Sequence, residues 1–425
     1  MHVLVAAHDC YPDPGSGGTG RYVYETGRRL VERGHRVSVV TRRRGDVPSR
    51  ESLDGVDVYR YDLEVADRPA PAVLDQLPGS ATAVADHVAE LSAEAPVDVV
   101  SGQGPVTSLL VGRRVDAAVP RVPTFHSPWP TEYRIRTRGD RSAPRRWLNA
   151  GVRWHLERRL LARADRAVAL SAYMRGELRR TYGRELDATV VPGGVDAKRY
   201  APSAGPDDRL AAGAPAFLTV RRLAGRMGHA PLLRAFASVV ERHPGAHLYV
   251  AGDGPLRGGL ERMAAGLGLA DHVTFLGYVP DAELPGVYAS ADVFVLPTAE
   301  LEGFGLATLE ALASGLPVVA TPVGGTVEVL SGLDGETMPA PVLVESADAE
   351  SLALGMAAWT DVPAADRAAA GRACRRYARQ RYPWERTVDG LLAVYRGVTP
   401  GGAPRRGLPR RATRGTAPPR PGRGG

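Results

Sequence analysis

The sequence is poor in cysteine and has no long apolar run, and these absences argue against several classes of protein. Cys10 and Cys374 are the only cysteines in 425 residues, and neither lies in a Cys-x-x-Cys motif. Neither a disulfide framework nor a structural zinc site is therefore expected. No apolar run reaches the length of a membrane span, and residues 1–7 lack the basic start of a signal peptide. These features predict a globular protein of the reducing cytoplasm.

Acidic residues are absent from the C-terminal tail, and this absence accounts for the whole net charge. The formal net charge is +7, and residues 399–425 contain seven Arg and no Asp or Glu. The rest of the chain (7 − 7 = 0) is formally neutral, so charge gives no support to a nucleic-acid partner. The tail is rich in Pro, Gly and Arg, which predicts a disordered, solvated segment in preference to an anionic docking arm.

The order of apolar runs predicts two α/β domains, which the chain length also favours. An apolar run at 2–7, a glycine-rich loop, an amphipathic stretch at 21–33 and a second run at 37–41 form a β-α-β unit with parallel strands. The alternation lapses near 196–215 and restarts at Ala216. We therefore expect doubly wound parallel-sheet (Rossmann-like) domains at 1–200 and 210–380, facing a cleft that holds the ligands.

A glycine loop at residues 15–20 is the first candidate binding element. Its sequence, Gly-Ser-Gly-Gly-Thr-Gly, fits a dinucleotide fingerprint, and the arginines at 42–44 fit an NADP-dependent oxidoreductase. However, seven residues separate the first strand from the loop, whereas that fingerprint follows its strand directly. The alternative is a phosphate-binding loop, in which Gly17 and Gly18 open a helix whose N-terminus attracts anions.

A second glycine element, Glu-Gly-Phe-Gly-Leu at 302–306, combines candidate phosphate-binding glycines with a carboxylate. Its glycines let a diphosphate approach the backbone N–H groups at the start of a helix. Glu310 lies four residues after Leu306, one turn into that helix, where a carboxylate can accept hydrogen bonds from paired ribose hydroxyls.

With these two elements the sequence resembles glycosyltransferase family 4, whose members are retaining enzymes of the GT-B fold. Further segments carry the resemblance over roughly residues 2–398, among them Thr-Phe-His at 124–126, Val-Pro-Gly-Gly-Val-Asp at 191–196 and Gly-Asp-Gly-Pro at 252–255. The resemblance implies a nucleotide-diphosphate-sugar donor on the second domain and an acceptor on the first. It also implies a helix at 381–398 that crosses back to the first domain.

The resemblance assigns roles by position. Catalytic roles fall to His126 near the reacting centre, Arg222 on the diphosphate and Glu302 on the sugar hydroxyls. The predicted donor-binding residues are Gly17, Gly18, Arg222, Arg226, Val279, Gly303, Phe304, Gly305, Leu306 and Glu310. No cofactor beyond the donor is expected. No Asp-x-Asp motif follows a strand, so no metal clamp is expected either. Since no carboxylate stands out as a nucleophile, front-face departure and attack is the favoured route.

Two departures from the family pattern leave questions open. Met227 stands where the family usually has a diphosphate-binding Lys, as in a branch with an Arg-Met-Gly form, and either Arg221 or Arg226 would supply the missing charge. Met227 also leaves open a non-catalytic, sugar-nucleotide-binding partner subunit. Ser-Gly-Gln at 101–103 replaces histidines that relatives often carry, so the acceptor is not predicted.

An Arg-rich stretch with Trp at 134–166 has two interpretations. Arg and Trp together can lie on anionic lipid. The apolar residues spread around much of the predicted helix, which favours packing against the protein over membrane association.

Overall fold

The computed structural model describes residues 1–64, 70–139, 143–203, 205, 207–211, 213–333 and 338–399. The strands are β1 His2–Ala6, β2 Arg36–Arg42, β3 Arg50–Leu53, β4 Val56–Tyr61, β5 Val99–Gly102, β6 Arg121–Phe125, β7 Val168–Ala169, β8 Thr189–Val190, β9 Ala216–Val220, β10 His247–Ala251, β11 Val273–Gly277, β12 Val293–Leu296 and β13 Val318–Ala320. The helices are α1 Gly18–Glu32, α2 Ala70–Glu94, α3 Pro105–Val111, α4 Trp129–Arg136, α5 Ala143–Leu161, α6 Ala172–Tyr182, α7 His229–Arg242, α8 Arg257–Gly266, α9 Leu284–Ala289, α10 Leu306–Ala313, α11 Gly325–Leu330, α12 Ala349–Asp361, α13 Ala364–Arg381 and α14 Trp384–Arg396.

The strands form two sheets, one in each half of the chain. The first has the order β3-β4-β2-β1-β5-β6-β7-β8 and the second β11-β10-β9-β12-β13. Pairing is parallel except between β3 and β4, which are antiparallel. Apolar runs such as 3–6 and 293–296 are fully or almost fully buried, as expected for parallel strands covered by helices on both faces. The expected pair of doubly wound α/β domains is confirmed, with an antiparallel edge that the sequence analysis did not predict.

The strand order fixes where ligands can lie. In each sheet the order reverses beside the first strand, between β1 and β5 and between β9 and β12. Loops that leave neighbouring strands in opposite directions open a crevice at the carboxyl ends of those strands. The predicted domain boundary, 200–210, falls between β8 and β9.

The last helix returns to the first domain, as the GT-B resemblance implied. The Thr387 hydroxyl of α14 donates to the Pro192 carbonyl at 2.9 Å, and the buried Tyr395 hydroxyl donates to Ser101 Oγ at 2.9 Å. These contacts attach α14 to the first domain and bring it to the carboxyl end of β5. The predicted tail lies outside the described residues from position 400 onward.

The first domain also contains a helical pair, α4 and α5, in the stretch for which packing was expected. Leu161 and Ala150 are buried, whereas Trp147, Leu148 and Val152 are more than half exposed. The packing interpretation is therefore correct for one side of α5 and wrong for the other.

Candidate functional site

Two helices whose N-cap residue is glycine meet between the domains. Gly17 is the N-cap of α1, and Gly305, in the left-handed region at φ 96°, is the N-cap of α10. A Cβ on Gly18 would lie 3.6 Å from Leu306 Cδ1, so the two N-termini lie side by side. Each helix start carries unpaired N–H groups and a partial positive charge, so this junction is suited to an anion.

A buried ion pair lies beside this junction. Arg221 follows β9, and its guanidinium lies 2.6 Å from Glu302 Oε2, with side-chain exposures of 8% and 12%. The Thr298 hydroxyl also donates to Glu302, at 3.3 Å. Burial by itself would raise the pKa of the Glu302 carboxyl, but the facing Arg221 outweighs it and holds that pKa below its usual range. Glu302 is therefore an ionised acceptor within the cleft.

The three arginines that the sequence analysis considered for the diphosphate make different contacts in the structure. Arg221 Nη2 lies 2.9 Å from Met227 Sδ, so its guanidinium occupies the neighbourhood of the substituted position. Arg226 Nη1 instead donates to the Leu301 carbonyl at 2.8 Å and holds the loop before Glu302. Arg222 is exposed to solvent. The contact with Glu302 is made by Arg221, and the role of Arg222 on the diphosphate stays a prediction.

His126 directly follows β6 and belongs to a chain of hydrogen bonds. Its Nε2 lies 2.8 Å from Gln103 Oε1, and Gln103 Nε2 donates to Ser101 Oγ at 2.9 Å and to Thr124 Oγ1 at 3.0 Å. With the Gln103 amide nitrogen assigned toward these hydroxyls, its oxygen accepts from His126, and the imidazole proton then lies on Nε2. Burial lowers the pKa of His126 to about 4, so the ring is neutral near pH 7. Ser101 and Gln103, which the sequence analysis left uninterpreted, thus position His126.

Glu310 lies inside α10 among aromatic hydroxyls and cations. The buried Tyr288 hydroxyl donates to its Oε2 at 3.0 Å. Burial raises the pKa of the Glu310 carboxyl, and the nearby Arg21 of α1 limits the rise. Arg21 also pairs with Asp281, which accepts from the Tyr11 hydroxyl at 2.9 Å. Arg21, which the sequence analysis did not single out, therefore reaches from the first domain to Asp281 and Glu310 of the second.

The remaining predicted residues border the same interdomain junction or its edge. A Cβ on Gly303 would lie 2.8 Å from the His126 carbonyl, and the Ser171 hydroxyl donates to the Gly303 carbonyl at 2.8 Å. Phe304 is buried against Gly193, and Val279 is buried two residues before Asp281. The structure thus brings residues of the Glu302–Glu310 element next to the first domain, at His126 and Gly18.

The sequence shows similarity to glycosyltransferases over most of its length. Residues 207–381 match the family described as glycosyl transferases group 1, and residues 16–199 match glycosyltransferase family 4. A D-inositol 3-phosphate glycosyltransferase of Saccharomonospora viridis is 37% identical over 65% of this chain and 64% of its own. An enzyme of the same name from Segniliparus rotundus is 33% identical over 95% of this chain and 90% of its own.

A solved structure agrees in fold. Sucrose-phosphate synthase from Thermosynechococcus elongatus superimposes with a TM-score of 0.75 at 23% identity, covering 93% of this chain and 98% of that one. At that identity the likeness concerns the GT-B fold. The chain spans just under two thirds of the Saccharomonospora relative and nine tenths of the Segniliparus one. On these matches and this fold, the chain belongs to glycosyltransferase family 4.

Proposed function

We propose that the protein is a retaining glycosyltransferase that moves a glycosyl group from a nucleotide-diphosphate sugar to a phosphorylated polyol. The observation that carries the proposal is the junction of the α1 and α10 N-termini beside the Arg221–Glu302 pair. A diphosphate needs several N–H donors and a nearby cation, and this junction offers both. Glu310 supports the same assignment, because it can accept from the ribose hydroxyls one turn away.

The leaving group would be stabilised by groups already in place. As the bond between sugar and diphosphate breaks, negative charge develops on the departing phosphate oxygen. In this proposal that oxygen lies among the N–H groups of Gly305 and Leu306 and the guanidinium of Arg221. Arg221 then supplies the positive charge that a lysine at position 227 would give, while Arg226 holds the loop before Glu302. Since these charges are fixed before the reaction, little reorganisation opposes the step.

Glu302 and His126 would hold the transferred sugar. Glu302 is ionised and can accept hydrogen bonds from two sugar hydroxyls, while Arg221 keeps it charged. Neutral His126, with its Nε2 proton donated to Gln103, presents Nδ1 as an acceptor. We place it against a sugar hydroxyl near the anomeric carbon. The acceptor hydroxyl would attack from the face on which the diphosphate departs, so the anomeric configuration is retained.

An anionic acceptor is supported by positive charge at the carboxyl ends of β1 and β2. Arg42 Nη2 lies 2.6 Å from His8 Nε2, and burial together with Arg42, Arg44 and Arg136 lowers the pKa of His8 to about 4. Burial, and then the nearby Arg44, lower the pKa of Arg42, while Asp9 opposes them. Such a cluster suits a phosphate. The relatives named for D-inositol 3-phosphate support a phosphorylated polyol.

Two measurements test the proposal. Thermal shift with UDP-, GDP-, ADP- and dTDP-sugars identifies the donor, because a ligand at a hundredfold its Kd adds about 2.7 kcal/mol. The selected donor is then supplied with inositol phosphate or with unphosphorylated inositol, and proton NMR reports the anomeric configuration of the product. We expect transfer to the phosphorylated acceptor with retention. Donor binding without hydrolysis or transfer would favour the non-catalytic subunit, and an inverted product would refute the mechanism.

A further inference from the structure

The outward side of α5 is an exposed apolar surface on the first domain. Trp147, Leu148 and Val152 are 60%, 71% and 52% exposed. At 100° per residue they fall on one half of the helix, with Gly151 and His155, both exposed, between them. We refer to these five residues as the α5 face. Large exposed side chains so grouped mark a surface that binds something.

The opposite side of α5 is anchored to the domain, so the exposure is a stable feature of the fold. Ala150 and Leu161 are buried, and Trp154 Nε1 donates to the Thr181 carbonyl at 2.8 Å. Glu157, the only carboxylate of the helix, is also turned inward. It accepts from the Trp129 backbone N–H at 2.8 Å and from the Tyr182 hydroxyl.

Cations surround the α5 face. Arg145 and Arg159 of the same helix are exposed, and the Arg134 guanidinium of α4 lies over the Trp147 ring at 5.2 Å from its centroid. The Arg158 side chain is 43% exposed, but it pairs with the Glu185 carboxylate at 3.0 Å, so its charge is already balanced. With Glu157 buried, the helix presents positive charge and apolar area together, and no negative charge of its own.

The size and charge of the α5 face select among possible occupants. From Pro144 to His155 the helix extends about 18 Å, and its one exposed side covers far less than the roughly 800 Å² per partner of a stable protein interface. A bilayer sets no such minimum, because each side chain inserts by itself. Trp favours the boundary between head groups and acyl chains, and Arg is attracted to anionic head groups.

We propose that the α5 face adsorbs to the surface of an anionic lipid bilayer, with α5 lying in the plane of the membrane. Trp147, Leu148 and Val152 would enter the boundary region, while Arg145 and Arg159 pair with lipid phosphates. This is surface binding: among the helices that the structure describes, none is both long and apolar enough to cross a membrane. Adsorption would hold the first domain at the lipid surface.

The test is co-sedimentation of the full chain with vesicles of phosphatidylcholine alone or with about one-third phosphatidylglycerol. We expect binding to the anionic vesicles that weakens with salt and little binding to phosphatidylcholine. The triple variant Trp147→Ser/Leu148→Ser/Val152→Ser should bind at least about tenfold more weakly. Leu354→Ser is the matched control, since Leu354 is 61% exposed on α12 of the other domain, and it should bind like wild type.

A charge variant, Arg145→Gln/Arg159→Gln, keeps the apolar residues and should weaken binding about fivefold per arginine at low salt. Circular dichroism and thermal unfolding check that each variant is folded. Equal sedimentation of wild type and the triple variant would overturn the proposal and point to another basic segment. Equal binding to both vesicle types, or none at low salt, would also overturn it. A lipid-independent dimer that the triple variant abolishes would show that the occupant is a second copy of the chain.

Discussion

Replacing Arg221 by methionine is expected to destabilise the protein, because it leaves Glu302 buried without its cation. The two groups are 2.6 Å apart, and their side chains are 8% and 12% exposed. Removing one partner of a buried pair costs about 3–5 kcal/mol, and the residual exposure of Glu302 favours the lower end, about 3 kcal/mol. Urea unfolding at neutral pH measures this loss. The double variant Arg221→Met/Glu302→Gln should recover much of it, since the amide carries no charge.

The pH dependence of this loss has a definite sign. In the wild type the folded-state pKa of Glu302 lies below its usual value, so the pair stabilises the fold above the unfolded pKa. This stability is lost as the pH falls through the folded pKa. In Arg221→Met the largest cause that lowers the pKa of Glu302 is lost, and only Arg226 and the Thr298 hydroxyl still oppose burial. That pKa should therefore rise, and protonation in acid relieves the unpaired charge. The difference in free energy of unfolding between Arg221→Met and the wild type should therefore become smaller at acidic pH.

Turnover of the Arg221→Met variant should also fall. Loss of a preorganised donor to a developing oxyanion lowers kcat by about 10²–10³-fold. Arg226→Met is the matched control, because it removes the other arginine that could replace the missing lysine. Initial rates at saturating donor and acceptor give the kcat of each variant for comparison. A larger loss of kcat in Arg226→Met than in Arg221→Met would refute the assignment, and Arg222→Met tests the position that the family pattern favours.

Three further outcomes are expected from the same site. Glu310→Ala should weaken donor binding by roughly ten- to a hundredfold in titration calorimetry while the fold is retained, and unchanged affinity would remove Glu310 from the nucleotide site. Gln103→Leu deprives His126 of its partner and should lower kcat roughly ten- to a hundredfold with little change in donor KM, whereas Gln103→Glu restores an acceptor and part of the rate. Activity should survive EDTA, and a loss that magnesium or manganese restores would count against charge stabilisation by arginine and helix N-termini.

The sequence by itself determined the family and much of the local structure. The helix start at Gly305, where φ is 96°, was readable from the sequence because it depends on neighbours within a few residues. The α/β alternation followed from apolar runs, and the crossover helix from the family resemblance. The β3–β4 edge and the long helix α2 were missed. The roles of individual site residues stay predictions.

Only the tertiary structure decided which side chains meet. Arg221 and Arg222 both follow β9, yet Arg221 contacts Glu302 whereas Arg222 is exposed to solvent. The sequence gives their order but not the face that is turned to the cleft. In the same way, Gln103 and His126 each follow a different strand, and they meet only because β5 and β6 pair. Whether the apolar side of α5 is covered depends on what packs over it, and the apolar pattern of a helix looks the same whether a protein core or a membrane lies opposite.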